Sequence, residues 1–442
     1  MMLRYMVCAW LVWAVPVSAQ TVLSTLPNGM KVLVKEDKRA PVVAVRLWYK
    51  VGSVDEQVGK TGLSHALEHM MFKGTSSVPA GEFSRRIAAL GGNDNAYTNR
   101  TETVYTTNIA VRHLDEVLKM EADRMVNLNF SDRDFDNEMS VIREERRLRV
   151  DDSSSGKMWE TLHQHLWQKP FNQASIIGYM ADLHQLKAED LRAWYRQWYA
   201  PNNAMMVIVG DVDAKQATAK VQQAFGQIPA RALPARHDEA EAPQDARASQ
   251  QTVVAVTAQP LFNLSWRVPK QQSVRDSNAY ALDMLALVLS GTDSARYERK
   301  VVRGDALALG VSVDYNDYGR ENAVFSVAAM PAANVSPEQL TQRLLAEIQD
   351  IAQHGIAKQE LTLIHTPIET ERILAKDSIQ HQADNLGALE HNSFGYQTEE
   401  EQLKRLLAVT PKQVQQAAQR LLALPINQVT VLPPSASEST QP

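Results

Sequence analysis

The run from Gly62 to Thr75, GLSHALEHMMFKGT, constrains this chain more than any other stretch. At about 100° per residue, a helix through it sets His65 and His69 one turn apart on the same face, so both rings reach a single metal ion. Glu68 lies beside them without being forced into ligation, placed to hold a water on that ion and take its proton. Leu63, Ala66, Leu67, Met70 and Phe72 supply apolar surface that anchors the helix in a core and leaves the polar residues to a cleft. Metal geometry requires such rigid anchoring. Histidine pairs at this spacing also occur as ordinary surface or core residues, and the carboxylate between them separates this run from those.

The order H-x-x-E-H is the inverzincin signature of a zinc hydrolase. A catalytic zinc site has three protein ligands and an open position, so a third ligand has to come from elsewhere. Read as a helix, Asp132 to Arg149 carries Glu138, Glu144 and Glu145, with Met139, Val141, Ile142 and Leu148 for packing. Glu138 and Glu145 are two turns apart and share a face, whereas Glu144 is turned about 100° from Glu145. The residues alone leave the choice open, and equally allow all three to be solvated charges paired with Arg143, Arg146, Arg147 and Arg149.

The chain resembles the pitrilysin family of zinc peptidases, in particular the half-length branch that includes the beta subunit of the mitochondrial processing peptidase. The block around His65, Glu68 and His69 is close to the family signature, and Glu138 and Glu145 fit its downstream E-x6-E pair. The resemblance implies Glu145, 76 residues after His69, as the third ligand of one Zn²⁺ per chain. Gly91 to Tyr105 resembles the family's strand beside the metal, which implies that Asn95, Ala96, Tyr97 and Thr98 bind extended substrate. Glu138, on the face of Glu145, is a candidate to orient a ligand from behind. The implied fold is α+β, two tandem homologous α/β halves joined by a linker.

The sequence has 442 residues, 44% of them apolar, enough for two or three domains with sizeable cores. Residues 1–19 read as a secretory signal peptide: Arg4, an apolar region from Tyr5 to Val15, and Val17-Ser18-Ala19 as a small-residue cleavage site. The apolar run falls short of the roughly 20 residues of a membrane span, and nothing later is long enough. No stable span is therefore expected after leader cleavage. Cys8, the only cysteine, lies in the leader, so export is indicated by the leader alone, to a bacterial periplasm or beyond. Losing residues 1–19 removes Arg4 and no acid, moving the formal charge from −5 to −6. That mild acidity argues against nucleic acid and anionic membrane as partners.

Strands are expected over 22–26, 31–36 and 42–51, the first two joined by the turn Pro27-Asn28-Gly29, then a strand pair over 95–109. Helices are expected over 111–128, 132–150, 157–168, 187–199 and 214–225, with a buried strand over 205–210. Residues 229–251, rich in Ala, Arg, Pro and acids without apolar periodicity, read as a linker between a catalytic zinc-binding domain, 20–228, and a non-catalytic domain, 252–436. In the second, strands over 253–257, 261–267, 306–315, 323–329 and 429–432 and a helix over 277–289 repeat the broad order. Residues 437–442 read as a tail. His163 with His165, and His354, His365, His381 and His391, read as helix residues and not as a second metal site.

The family contacts substrate with an arginine and a tyrosine seven residues later in the second half. Arg303 matches the arginine, but Gly310 stands at the tyrosine's place, and neither Tyr297 nor Tyr315 has that spacing. Donors aimed at the developing oxyanion contribute about 3 kcal/mol in comparable sites. The resemblance therefore implies a heterodimer, with a related non-catalytic subunit supplying the missing pair to this zinc-bearing chain; a homodimer is the rival. The expected activity is endopeptidase cleavage of peptides or unfolded segments with Glu68 as general base. The competing expectation is a zinc-binding assembly or peptide-binding subunit with little activity of its own.

Overall fold

The computed structural model describes residues 20–173, 175–236, 241–257, 259–316 and 323–434. The leader expected over 1–19, with Cys8, and the tail expected over 437–442 lie outside the described residues, as does part of the expected linker, 237–240.

Among the described residues, eleven strands form two sheets. The first contains β1 (Thr21–Thr25), β2 (Lys31–Glu36), β3 (Val42–Tyr49), β4 (Asn93–Thr98), β5 (Thr103–Ala110) and β6 (Ala204–Gly210), in the order β1-β2-β6-β3-β5-β4. The second contains β7 (Ser249–Val254), β8 (Leu261–Val268), β9 (Ala308–Asn316), β10 (Ala323–Pro331) and β11 (Asn427–Leu432), in the order β7-β11-β8-β10-β9. The path β2-β6-β3-β5-β4 repeats as β7-β11-β8-β10-β9. In each, the last strand of the half inserts parallel to the strand that opens this path, β6 with β2 and β11 with β7, and an antiparallel hairpin ends on an edge strand, β4 or β9. The two tandem α/β halves expected from the sequence are thus present as a topological duplication.

Helices α1 (Leu63–Met70), α2 (Glu82–Ala89), α3 (Leu114–Asn127), α4 (Asp132–Arg146) and α5 (Ser154–Leu166) belong to the first half. The pleat of β3 sorts its side chains between two cores. Val43, Val45, Leu47 and Tyr49 face Leu63, Ala66, Leu67 and Met70 of α1 in one cluster. Ala44 and Trp48 face the opposite way, against Ile379, Ala383 and Leu386 of the second-half helix Ile379–His391. Arg46 shares that back face and is satisfied there, its Nε donating to Asp384 Oδ1 at 2.6 Å and its Nη1 to Asn108 Oδ1 at 3.0 Å. Reciprocally, Met158, Leu162 and Leu166 of α5 pack with Val429 and Val431 of β11. Each half lends a helix to the other's sheet, and each buried aliphatic side chain there is worth about 1.5–3 kcal/mol.

Three local differences from the sequence expectations have physical causes. Helix α2 was not foreseen: its eight residues bury only Phe83 and Ile87, too short an apolar period to stand out. Strand β7 starts at Ser249, ahead of the expected 253, because residues 249–254 pair in parallel with β11, and a polar strand gains its place from that ladder. The helix expected over 132–150 is α-helical to Arg146 and closes as a π turn, Arg147–Asp151. No helix among the described residues is long and apolar enough to cross a membrane.

Candidate metal centre

Helix α1 begins at Gly62, whose φ of +88° favours glycine and where a Cβ would sit 2.7 Å from the Ile177 carbonyl oxygen. No side chain at the N-cap closes the helix. Glu56 does so from the preceding turn, Oε2 accepting from the Gly62 N–H and Oε1 from the Ser64 N–H, both at 2.7 Å. Two of the helix's orphan donors are thereby satisfied. The apolar face of α1 is sunk in the core, and His65, Glu68 and His69 emerge on the cleft side.

Helix α4 starts with a capping box, Ser131 Oγ accepting from Asp134 N–H at 3.1 Å and the Asp134 carboxylate accepting from Ser131 N–H at 2.9 Å. Phe135, Met139 and Ile142 pin it to the same core. Its C-terminal end is fixed by buried Arg146, which donates to Glu160 at 2.5 and 2.8 Å and to the Gly178 carbonyl at 2.9 Å. This anchoring resolves the adjacent carboxylates. Glu144 turns outward, 59% exposed and paired with Arg147, whereas Glu145 is 18% exposed and turned to the histidines.

Nε2 of His69 lies 3.3 Å, and Nε2 of His65 3.7 Å, from Glu145 Oε2. Ligand atoms of these three residues all fall within 4.8 Å of one another. A tetrahedral zinc about 2.0–2.2 Å from each would hold such atoms roughly 3.3–3.6 Å apart. Glu145 Oε2 is buried without a hydrogen-bond partner, while Oε1 pairs with Arg149 at 2.9 Å. A buried carboxylate oxygen left open beside two imidazoles fits a cation. Burial, with the charges of His69 and Arg149, holds His65 down at about 3, so its ring is neutral as a ligand must be.

Glu138 Oε1 lies 2.8 Å from His69 Nδ1, which leaves Nε2 to point at the cluster. Lys73, one turn beyond His69, pairs with the other Glu138 oxygen. Burial opposes ionisation of Glu138, but the His69 and Lys73 hydrogen bonds outweigh it and keep the carboxyl below its usual range. Glu68 is buried, and its Oε2 accepts from Thr98 Oγ1 at 2.5 Å. Burial pushes the Glu68 carboxyl up, helped by Glu145 and opposed by Thr98, His69 and Arg149. A general base gains from such a shift towards neutral pH.

Asn95, Ala96, Tyr97 and Thr98 line the same cavity, of about 700 Å³, together with His65, Glu68, His69 and Glu145. They lie on β4, the edge of its sheet. Arg303 lies elsewhere: exposed in the second half, it pairs with Glu298 at 3.2 Å and with the Asp293 carbonyl, and does not line this cavity. At the tyrosine's place stands Gly310, where a Cβ would meet nothing within 4 Å. Nothing in the sequence pointed to Glu56; Arg149, expected as a charge partner of the glutamates, pairs with Glu145, and His163, read as a helix residue, lies on α5 and lines this cavity. Lys73, four residues after His69, carried a readable spacing signal; Glu56 carried none, because its role depends on a turn bringing it back onto the helix end.

The insulinase family model, Peptidase family M16, matches residues 31–178, and the model of the Peptidase M16 inactive domain matches residues 185–366. The chain is similar to the zinc protease PqqE of Helicobacter pylori, 28% identical over 346 residues that cover 76% of each chain. It is similar to the probable zinc protease PqqL of Escherichia coli, 25% identical over 401 residues covering 84% of this chain and 40% of PqqL. Its fold superposes on the crystal structure of a protease from Helicobacter pylori with a TM-score of 0.87 at 25% identity, covering 94% of this chain and all (100%) of that one. The crystal structure of the periplasmic protease PqqL from Escherichia coli shares the fold with a TM-score of 0.78 at 20% identity, 96% of this chain spanning 50% of that one.

Proposed function

The chain belongs to peptidase family M16, and from that membership and the site geometry we propose that it is an exported zinc-dependent endopeptidase of peptides and unfolded segments. The observation that carries the reading is the convergence of ligand atoms of His65, His69 and Glu145 within 4.8 Å, with His65 Nε2 and His69 Nε2 3.7 and 3.3 Å from Glu145 Oε2, at a cavity that also holds Glu68. These three atoms would hold one Zn²⁺ per chain. The bound ion would supply positive charge that polarises the scissile carbonyl and acidifies water.

The chain's own groups do the rest. An extended peptide adds to the free edge of β4 at Asn95 to Thr98 by backbone hydrogen bonds, which tolerates many side chains. Thr98 fixes one oxygen of Glu68, and the carboxylate takes the proton of the attacking water and delivers it to the leaving amine. Glu138 holds the His69 ring in the tautomer that presents Nε2. The glycine at 310 and the position of Arg303 away from the cavity support a two-chain chamber in which a related non-catalytic subunit supplies an arginine and tyrosine, with a homodimer as the rival. This chain spans about half of PqqL, whose first half shares the fold by itself. Export is supported by the signal-like residues 1–19 and by the periplasmic description of PqqL.

The test is hydrolysis of a quenched-fluorescent peptide pool by zinc-loaded protein. Glu68→Gln is expected to retain zinc by atomic emission while losing roughly 10²–10⁴-fold in cleavage. Cleavage at wild-type rates by Glu68→Gln would remove Glu68 from its role. Zinc binding and peptide binding without cleavage by any form, partner included, would favour the assembly reading.

A further inference from the structure

A second cavity, of about 690 Å³, opens between the two halves beside the metal centre. Its first-half wall is Trp159 and His163 of α5, one helical turn apart, with Ile176; its second-half wall includes Tyr280, Tyr315 and Leu403. Trp159, His163, Ile176 and Arg100 line both cavities, so the two adjoin. The α5 wall is rigid. Its neighbouring face is packed on the second sheet through Met158, Leu162 and Leu166, and Trp167 Nε1 donates to His163 Nδ1 at 3.2 Å.

Strand β4 leads to this cavity. Its Thr98 end runs into the turn Asn99–Glu102, and those four residues line the second cavity while Asn95 to Thr98 line the first. A peptide laid along β4 advances about 3.3 Å per residue with alternate side chains on the same side. Continued past Thr98, it would run towards the second cavity, which Asn99 to Glu102 line. The charged groups there, Glu102, Asp283 and Asp314 with Arg100 and Arg372, nearly balance and so select weakly by charge. Aromatic rings supply the strongest selective surface, through ring stacking and apolar burial. The volume lies within the range of pockets that enclose small organic groups.

We propose that this cavity is a side-chain subsite that takes a bulky apolar or aromatic residue of the bound peptide, displaced from the scissile bond beyond the Thr98 end of β4. The inference rests on the peptidase reading for the direction of the peptide. It adds that the second half, which lacks a metal motif, selects substrate through Tyr280, Tyr315 and Leu403.

The experiment scans Phe through fluorescein-labelled polyalanine-based peptides. It measures their binding to zinc-loaded Glu68→Gln protein by anisotropy and their kcat/KM with wild type. One position is expected to favour Phe over Ala by about tenfold or more in binding. Trp159→Ala and, independently, Leu403→Asp in the Glu68→Gln background should erase that preference, and Trp159→Phe should restore most of it. A flat scan, or a preference that survives both Trp159→Ala and Leu403→Asp in proteins with wild-type thermal melts, overturns the subsite. Position-dependent binding without wild-type cleavage would keep the subsite and sink the peptidase reading instead.

Discussion

At the scale of single residues, the site is decided by which of two adjacent carboxylates turns inward. Glu145 faces His65 and His69 while Glu144 pairs with Arg147 at the surface. Glu145→Gln is accordingly expected to raise the zinc dissociation constant at least tenfold, and Glu144→Gln to leave it within about twofold, in chelator competition. The reverse order would move the ligand by one residue. Glu56 offers a second residue-scale expectation. Burial pushes its carboxyl from 4.5 up to about 8, against the Ser64 and Gly62 N–H groups that hold it down. A folded-state pKa above the unfolded one means a contribution fully present below about pH 4.5 and lost as pH rises through about 8. Between about pH 5 and 8 metal-free wild type should lose stability relative to Glu56→Gln, on the order of a few kcal/mol, in urea unfolding at the two pH values. A gap between the two proteins that does not change with pH would refute it.

At the scale of elements, two helices cross from one half to the other, each packed on the other half's sheet. The helix Ile379–His391 approaches the back of β3 so tightly that a Cβ on Gly387 would lie 2.5 Å from the Trp48 ring. Neither a buried indole nor a sheet gives way easily. Gly387→Ala is expected to cost about 1–3 kcal/mol in denaturant unfolding, by overpacking rather than by any helix preference, since alanine favours the helix. Unchanged or raised stability would mean that the helix shifts freely on the sheet. The apolar period of α5 was legible as a helix, but its 3.6-residue repeat did not reveal that Met158, Leu162 and Leu166 pack on the second half's sheet. Periodicity says that a face is buried, not what buries it.

At the scale of the whole molecule, the two halves share one path of strands and exchange helices, and among the described residues only the first carries a cluster that could hold a metal. With glycine at 310 and Arg303 away from the cavity, the purified chain alone is expected to cleave roughly 10²–10³-fold more slowly than with a subunit bearing the missing donors. Full activity from a monomer would exclude that requirement. The sequence by itself determined the helix of His65, Glu68 and His69, because spacing on a helix is local geometry. It also determined most strands of the first half, which announce themselves through alternation and the Pro27-Asn28-Gly29 turn. Its doubled α/β class came from resemblance, not from any visible repeat. The tertiary structure decided what depends on approach between distant segments. Glu145 points inward because Arg146 is locked to Glu160 and the Gly178 carbonyl. Thr98 reaches Glu68, and Glu56 closes α1. The second cavity exists because α5 lies against the opposite half. None of these has a sequence period, since each is a contact chosen by packing rather than by the local turn of the chain.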